Sequence, residues 1–168
     1  PEIEKLIDAA GHQVHGEGGA VVELWLLKSL PIKASFKSSA SQLYPFTPGQ
    51  LLGAMRVPKG AEYTDFRGQE IASGTYTLRY GLQPEDGNHL GTSDTADFIL
   101  ALPAKIDTKP ATIKDFDRLA EHSGKAAGST HPAIFSLLDP AEAGKDSKLI
   151  EDKSNDDWIL NFVGKGTA

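Results

Sequence analysis

The chain has 168 residues, a length that fits one domain, with 39% apolar and 24% charged residues. A net charge of −6, a pI near 5.3 and no run of four basic residues argue against a nucleic-acid groove or an anionic membrane surface as partner. There is no cysteine, which excludes disulfides, thiol catalysis and thiolate metal sites, and no stretch approaches the ~18–20 apolar residues of a membrane-spanning helix.

Ile3, Leu6, Ile7 and Ala10 recur at helical spacing behind Glu2 and Glu4, and Gly11 suits a helix stop, so a short helix is predicted over 1–11. A hairpin follows: His12 to His15, a turn at Gly16-Glu17-Gly18-Gly19, then Ala20 to Lys28. Both alternating phases of that second strand are apolar apart from Glu23, which places it centrally with each face covered. Pro31 ends the run, and Ser35 to Gln42 reads as an exposed strand or loop.

Leu51 to Val57 is the next strand, bounded by Pro48-Gly49 before and by Pro58 and Gly60 after. Thr75 to Gln83 shows the clearest alternation, with Tyr76, Leu78, Tyr80 and Leu82 on one side. A polar loop, 84–96, leads to a strand over Asp97 to Pro103. A helix is predicted over 112–124, with Thr112 and Asp115 as a capping-box-like pair and Ile113, Phe116, Leu119 and Ala120 as its buried stripe. His131 to Leu138 reads as a strand, 139–157 as an acidic solvated loop or ragged helix, and Trp158 to Val163 as a final strand. Many short strands with one or two short peripheral helices predict a single mainly β domain over 1–168. Its expected form is an antiparallel β-sandwich, Ig-like or jelly-roll-like, or an open barrel. The strand–helix alternation of a doubly wound fold is missing.

The run from Gly74 to Gly91, GTYTLRYGLQPEDGNHLG, followed by DFILALP over Asp97 to Pro103, resembles an uncharacterised family of exported bacterial β-rich proteins. The segments Asp65 to Gln69, His131 to Ala133, Glu23 to Leu26 and Leu51 to Gly53 are similar to parts of the same family, so the resemblance covers most of residues 20–138. It carries no activity. It implies export after signal cleavage and a periplasmic or extracellular location; no signal peptide is visible in this sequence.

Four groups of residues invite a functional reading. In the loop 86–97, Asp86, Asn88, Asp94 and Asp97 supply oxygens with Gly91 at the turn, an arrangement that echoes a Ca²⁺ loop. Leu90 at the fifth place and the short Asp97 at the last depart from that pattern, and an ordinary hairpin loop accounts for the same residues. His89 and His131 both sit beside loops at strand ends and are the histidine pair most worth testing for a metal. No His-x-Glu or HExxH pattern accompanies them. Glu23, Arg56 and Arg79 are charges within otherwise apolar strands. Meeting on one sheet face, they would form either a seat for an anionic ligand, a held general base, or a simple cross-strand ion pair. Trp25, Tyr44, Tyr63, Tyr76, Tyr80 and Trp158 offer an aromatic platform, although strand aromatics belong more often to a core.

No nucleophile elbow or phosphate loop is present. The preferred reading is a non-enzymatic exported module, structural or binding a small ligand or protein partner, with Ca²⁺ in the 86–97 loop as its one candidate cofactor. The alternative is a metal-assisted hydrolase or lyase acting through Glu23 or the histidines.

Overall fold

The computed structural model describes residues 2–83, 95–142 and 144–168. Its frame is a curled antiparallel sheet of six strands in the order β1-β2-β4-β5-β6-β7. In chain order the strands are β1 (His12–Gly16), β2 (Gly19–Leu26), a two-residue β3 (Leu30–Pro31), β4 (Leu51–Val57), β5 (Gly74–Leu82) and β6 (Asp97–Pro103). The helix α1 (Phe116–Gly124) follows, then β7 (Ile134–Ser136), β8 (Lys148–Asp152), β9 (Asp157–Asn161) and a short β10 (Gly166–Thr167). β3 and β10 pair in parallel, and β8 and β9 form a separate hairpin.

Register explains the core. Leu24 lies opposite Met55, Met55 opposite Tyr76, Leu78 opposite Ala101 and Tyr80 opposite Ile99, so the apolar phases of four strands share one face. All of them belong to the main buried cluster. The opposite face carries Thr77, Arg79, Leu100 and Leu102. Leu119 of α1 joins Leu100 and Leu102 there in a second, smaller cluster. β2, expected to lie centrally, is an interior strand one place in from the edge, between β1 and β4.

Three expected elements differ. The helix over 1–11 is a single 3-10 turn, Glu4–Leu6. Ile7 bridges to Leu27 and the Asp8 N–H donates to the Leu26 carbonyl at 2.9 Å, so pairing with the sheet extends the chain where helical periodicity alone would coil it. The helix over 112–124 begins four residues late: Asp115, not Thr112, is its N-cap and accepts from the Arg118 N–H at 3.1 Å. The acidic loop over 139–157 contains β8, half of a hairpin, with Ile150 opposite Ile159 and Leu149 opposite Leu160. Its strand partner lies beyond the predicted loop, and its charges hide the alternation.

Gly53 marks an irregularity in the β4–β5 register, and a Cβ there would lie 2.0 Å from the backbone oxygen of Trp25. Gly53→Ala should therefore lower stability by about 2 kcal/mol or more, read as a fall in the urea midpoint. At Gly18 an added Cβ meets nothing within 4 Å, and Gly18→Ala should change the unfolding free energy by no more than about 0.5 kcal/mol.

Candidate functional site

Two charges on the strands, Arg79 and Asp97, have no exposed surface, and Arg79 is the larger of the two. A guanidinium has five N–H donors, and each finds an acceptor. Nε and Nη2 grip the two oxygens of Asp107 at 2.7 and 2.8 Å. Nη1 reaches the carbonyls of Gly49 and Ala111 at 2.9 and 2.8 Å, and Nη2 also donates to Lys109 O at 2.6 Å. The Thr77 hydroxyl donates to Asp107 Oδ2 at 2.5 Å. This forked pair ties the segment after β6 down onto the sheet.

Glu23 and Arg56 are opposite each other across β2 and β4 and form an ion pair, joined by Gln13 Nε2 at 2.7 Å. The Glu23 side chain is 5% exposed and that of Arg56 55%. The Arg56 hydrogen bond holds the Glu23 carboxyl below its ordinary range, overcoming a burial effect that pushes it up, and Gln13 adds to the lowering. Held ionised in this way, Glu23 is a weak proton acceptor. Arg56 faces Thr75, four residues before Arg79 on β5, so about 13 Å of strand separates the two pairs. The three charges share a face, as their strand phase implies, yet they form two separate ion pairs and no common cluster.

Asp86, Asn88, His89 and Asp94 lie outside the described residues. Asp97 is fully buried. It accepts from the Leu43 N–H at 2.8 Å, the Tyr44 N–H at 3.1 Å and the Tyr80 hydroxyl at 2.5 Å, and so fastens residues 43–44 to the start of β6. Burial, reinforced by the Asp97 hydrogen bond, pushes the Tyr80 hydroxyl far up and keeps it a donor. His131 is exposed, its N–H bonded to Ser129 Oγ at 3.0 Å. Among the described residues no three His, Asp or Glu are grouped to hold a metal ion. Also among them, His122 Nδ1 on α1 is the buried side-chain polar atom without a hydrogen bond.

The latch at Asp97 has a consequence for the neighbouring surface. Residues 44–46 cross the core face of the sheet and, with the C-terminal arm, line a half-open, mainly apolar cavity of about 280 Å³. Leu26 and Ile99 of the sheet, Tyr44 and Phe46 of the crossing segment, and Leu160 and Phe162 of the C-terminal arm are among its lining residues. Tyr44 and Phe46 stack at 5.9 Å, and Phe46 meets Tyr80 edge-on at 5.5 Å. Gly164 lets the arm come close, since a Cβ there would lie 2.7 Å from Leu26 Cδ1. The arm is tied by the β3–β10 bridge, through Leu30 N to Lys165 O at 2.8 Å and Ile32 N to Thr167 O at 2.9 Å.

Of the predicted aromatic platform, Tyr44 lines this cavity, Tyr76 and Tyr80 are core, and Trp158 stands 64% exposed on the hairpin. Asp107, Phe46, Asn161 and Phe162 were not visible as site residues in sequence. They lie in irregular segments or at the end of a short strand, where no period distinguishes an inward side chain. No family model, curated protein or solved structure matches the chain.

Asp107→Ala leaves a buried guanidinium without its counter-charge and should cost about 3–5 kcal/mol in urea unfolding. Glu23 should shape the acid limb. Its folded pKa lies below the ordinary 4.5, so the unfolded chain takes up the proton first, and the stabilisation present above that value is lost as pH falls through the folded pKa. The stability gap between wild type and Glu23→Gln should therefore narrow as urea midpoints are compared from neutral pH down through that range.

Proposed function

We propose that the chain is a non-enzymatic exported binding module that takes a small, largely apolar ligand into the cavity between the curled sheet and the C-terminal arm. The observation that carries this reading is a contrast. The buried charges Arg79, Asp107, Glu23 and Asp97 spend their hydrogen-bonding capacity within the protein, whereas the cavity presents side chains that are nearly all apolar. Catalysis needs a group free to exchange a proton or attack a substrate, and these carboxylates are committed to structural partners. Apolar walls with a few polar groups are the usual make-up of a small-molecule site, and about 280 Å³ suits a ligand smaller than a drug.

On this reading the sheet and the segments laid over its faces serve as a sandwich-like container. Export is supported by the resemblance of residues 20–138 to an exported family, and the net charge of −6 is in keeping with a partner that is not itself anionic.

Toluene tests the reading directly. At ten times its Kd a ligand bound only by the folded state adds about 1.4 kcal/mol, which should raise the unfolding temperature by a few degrees. Leu160→Trp, which fills the cavity, should abolish that rise while its far-UV spectrum stays that of wild type. A wild-type midpoint unmoved by saturated toluene would remove the proposal.

A further inference from the structure

Two of the residues that the arm presents to the cavity have no side chain. A Cβ on Gly164 would lie 2.7 Å from Leu26 Cδ1 and 3.0 Å from Leu30 Cδ1, and one on Gly166 would lie 3.2 Å from Ile32 Cδ1. Both positions therefore aim at side chains that line the cavity. Neither glycine has a positive φ, so no turn demands it. Glycine within a strand weakens it, and often marks a place that a ligand approaches closely. The arm gains little else from docking, since residues 163–168 are exposed and Phe162 is half-buried. It is held through Leu30 N to Lys165 O at 2.8 Å, Ile32 N to Thr167 O at 2.9 Å, and a contact between the exposed hydroxyls of Ser29 and Thr167. Leu26, Leu30 and Ile32 are thus overlaid by a strand that returns no side chain to them at 164 and 166.

We propose that the occupant of the cavity stands in for the side chains absent at Gly164 and Gly166, so that binding fastens the arm to the sheet and these two positions set the size of what binds. The inference rests on the cavity being the binding site. It names an uncharged hydrocarbon group, of roughly the bulk of one or two aliphatic side chains, as the part of the ligand held there. Docked against glycines, Leu26, Leu30 and Ile32 gain few dispersion contacts from the arm, and segments with few apolar contacts and exposed backbone open locally at low free energy. An occupant that touches both sheet and arm loses half its contacts when the arm leaves. It therefore binds the docked state better and shifts the arm toward it. A side chain placed at either glycine would fasten the arm from within the chain and leave the ligand no room.

Amide hydrogen exchange of the whole chain, read by NMR with toluene as the probe, tests the inference. Without toluene the Leu30 and Ile32 N–H groups, which donate to the arm, should exchange about 10-fold or more faster than the Tyr80 N–H, which donates to Gln50 O at 2.9 Å. Toluene at ten times its Kd should slow the Leu30 and Ile32 amides about 10-fold. Gly166→Val should slow the same two amides with no toluene present and abolish the toluene-induced rise in unfolding temperature. Lys165→Val, which raises strand propensity at an exposed position, should keep that rise. If Gly166→Val does not fold, Gly164→Ala takes its place and should bind toluene several-fold more weakly than wild type. Leu30 and Ile32 amides as slow as that of Tyr80 without toluene, or a glycine variant that binds toluene as wild type does, overturns the inference and leaves the cavity as the site. A wild-type chain that binds no toluene overturns the cavity reading and this inference with it.

Discussion

A full positive charge with no exposed surface, in the middle of a six-stranded sheet, is the constraint around which this fold is arranged. Desolvating a guanidinium is tolerable only where carboxylate and carbonyl oxygens replace its water, and Arg79 has such a partner for every N–H. Those partners come from Gly49 before β4 and from Asp107, Lys109 and Ala111 after β6. Satisfying one side chain thus brings two remote segments together over one face of the sheet. Ile113 N then reaches Gly49 O at 3.2 Å, and α1 is delivered onto Leu100 and Leu102. With that face occupied, the apolar phase of the same strands is left to build the main core and the cavity behind it.

Asp97 does on the core face what Asp107 does on the other. Each is a buried carboxylate that holds an irregular segment against the sheet through hydrogen bonds to its backbone or side chains. Asp65 is a third case, accepting from the N–H groups of Arg67, Gln69 and Ile134 and so joining the loop before β5 to β7. Long connections with little periodic structure need such fasteners, because they bury few apolar side chains of their own. Asp97, read from sequence as a prospective cation ligand, is thus one of three buried acids that pin loops to the sheet.

The alternation from Tyr76 to Leu82 marks β5 as a strand with one apolar face, and the doubly apolar character of β2 marks it as an interior strand. Both patterns are written in nearest-neighbour residue types, whereas the burial of Thr77 and Arg79 on the second face of β5 is not. The opening segment departs from a helix for a related reason: four apolar residues at helical spacing fit a helix face, but pairing of Ile7 with Leu27 offers the backbone a different set of partners. β8 was hidden among Asp, Glu and Lys, since a solvated hairpin has no apolar phase to reveal it. The shared face of Glu23, Arg56 and Arg79 followed from strand phase, whereas their separation into two pairs depended on where along β5 each strand register falls.

An antiparallel β protein without thiols or a basic run, the apolar phase of its inner strands and the charges set within them are all legible in the residue order. Composition and a two-residue period act locally and need no knowledge of distant contacts. The pairing of Arg79 with Asp107 and not with Glu23, the pinning of residues 43–44 by Asp97, and the meeting of Tyr44, Phe46, Asn161 and Phe162 at one cavity emerge from the three-dimensional packing alone. Those relations join residues far apart in the chain through side-chain reach and loop path, and neither quantity is encoded in any local pattern.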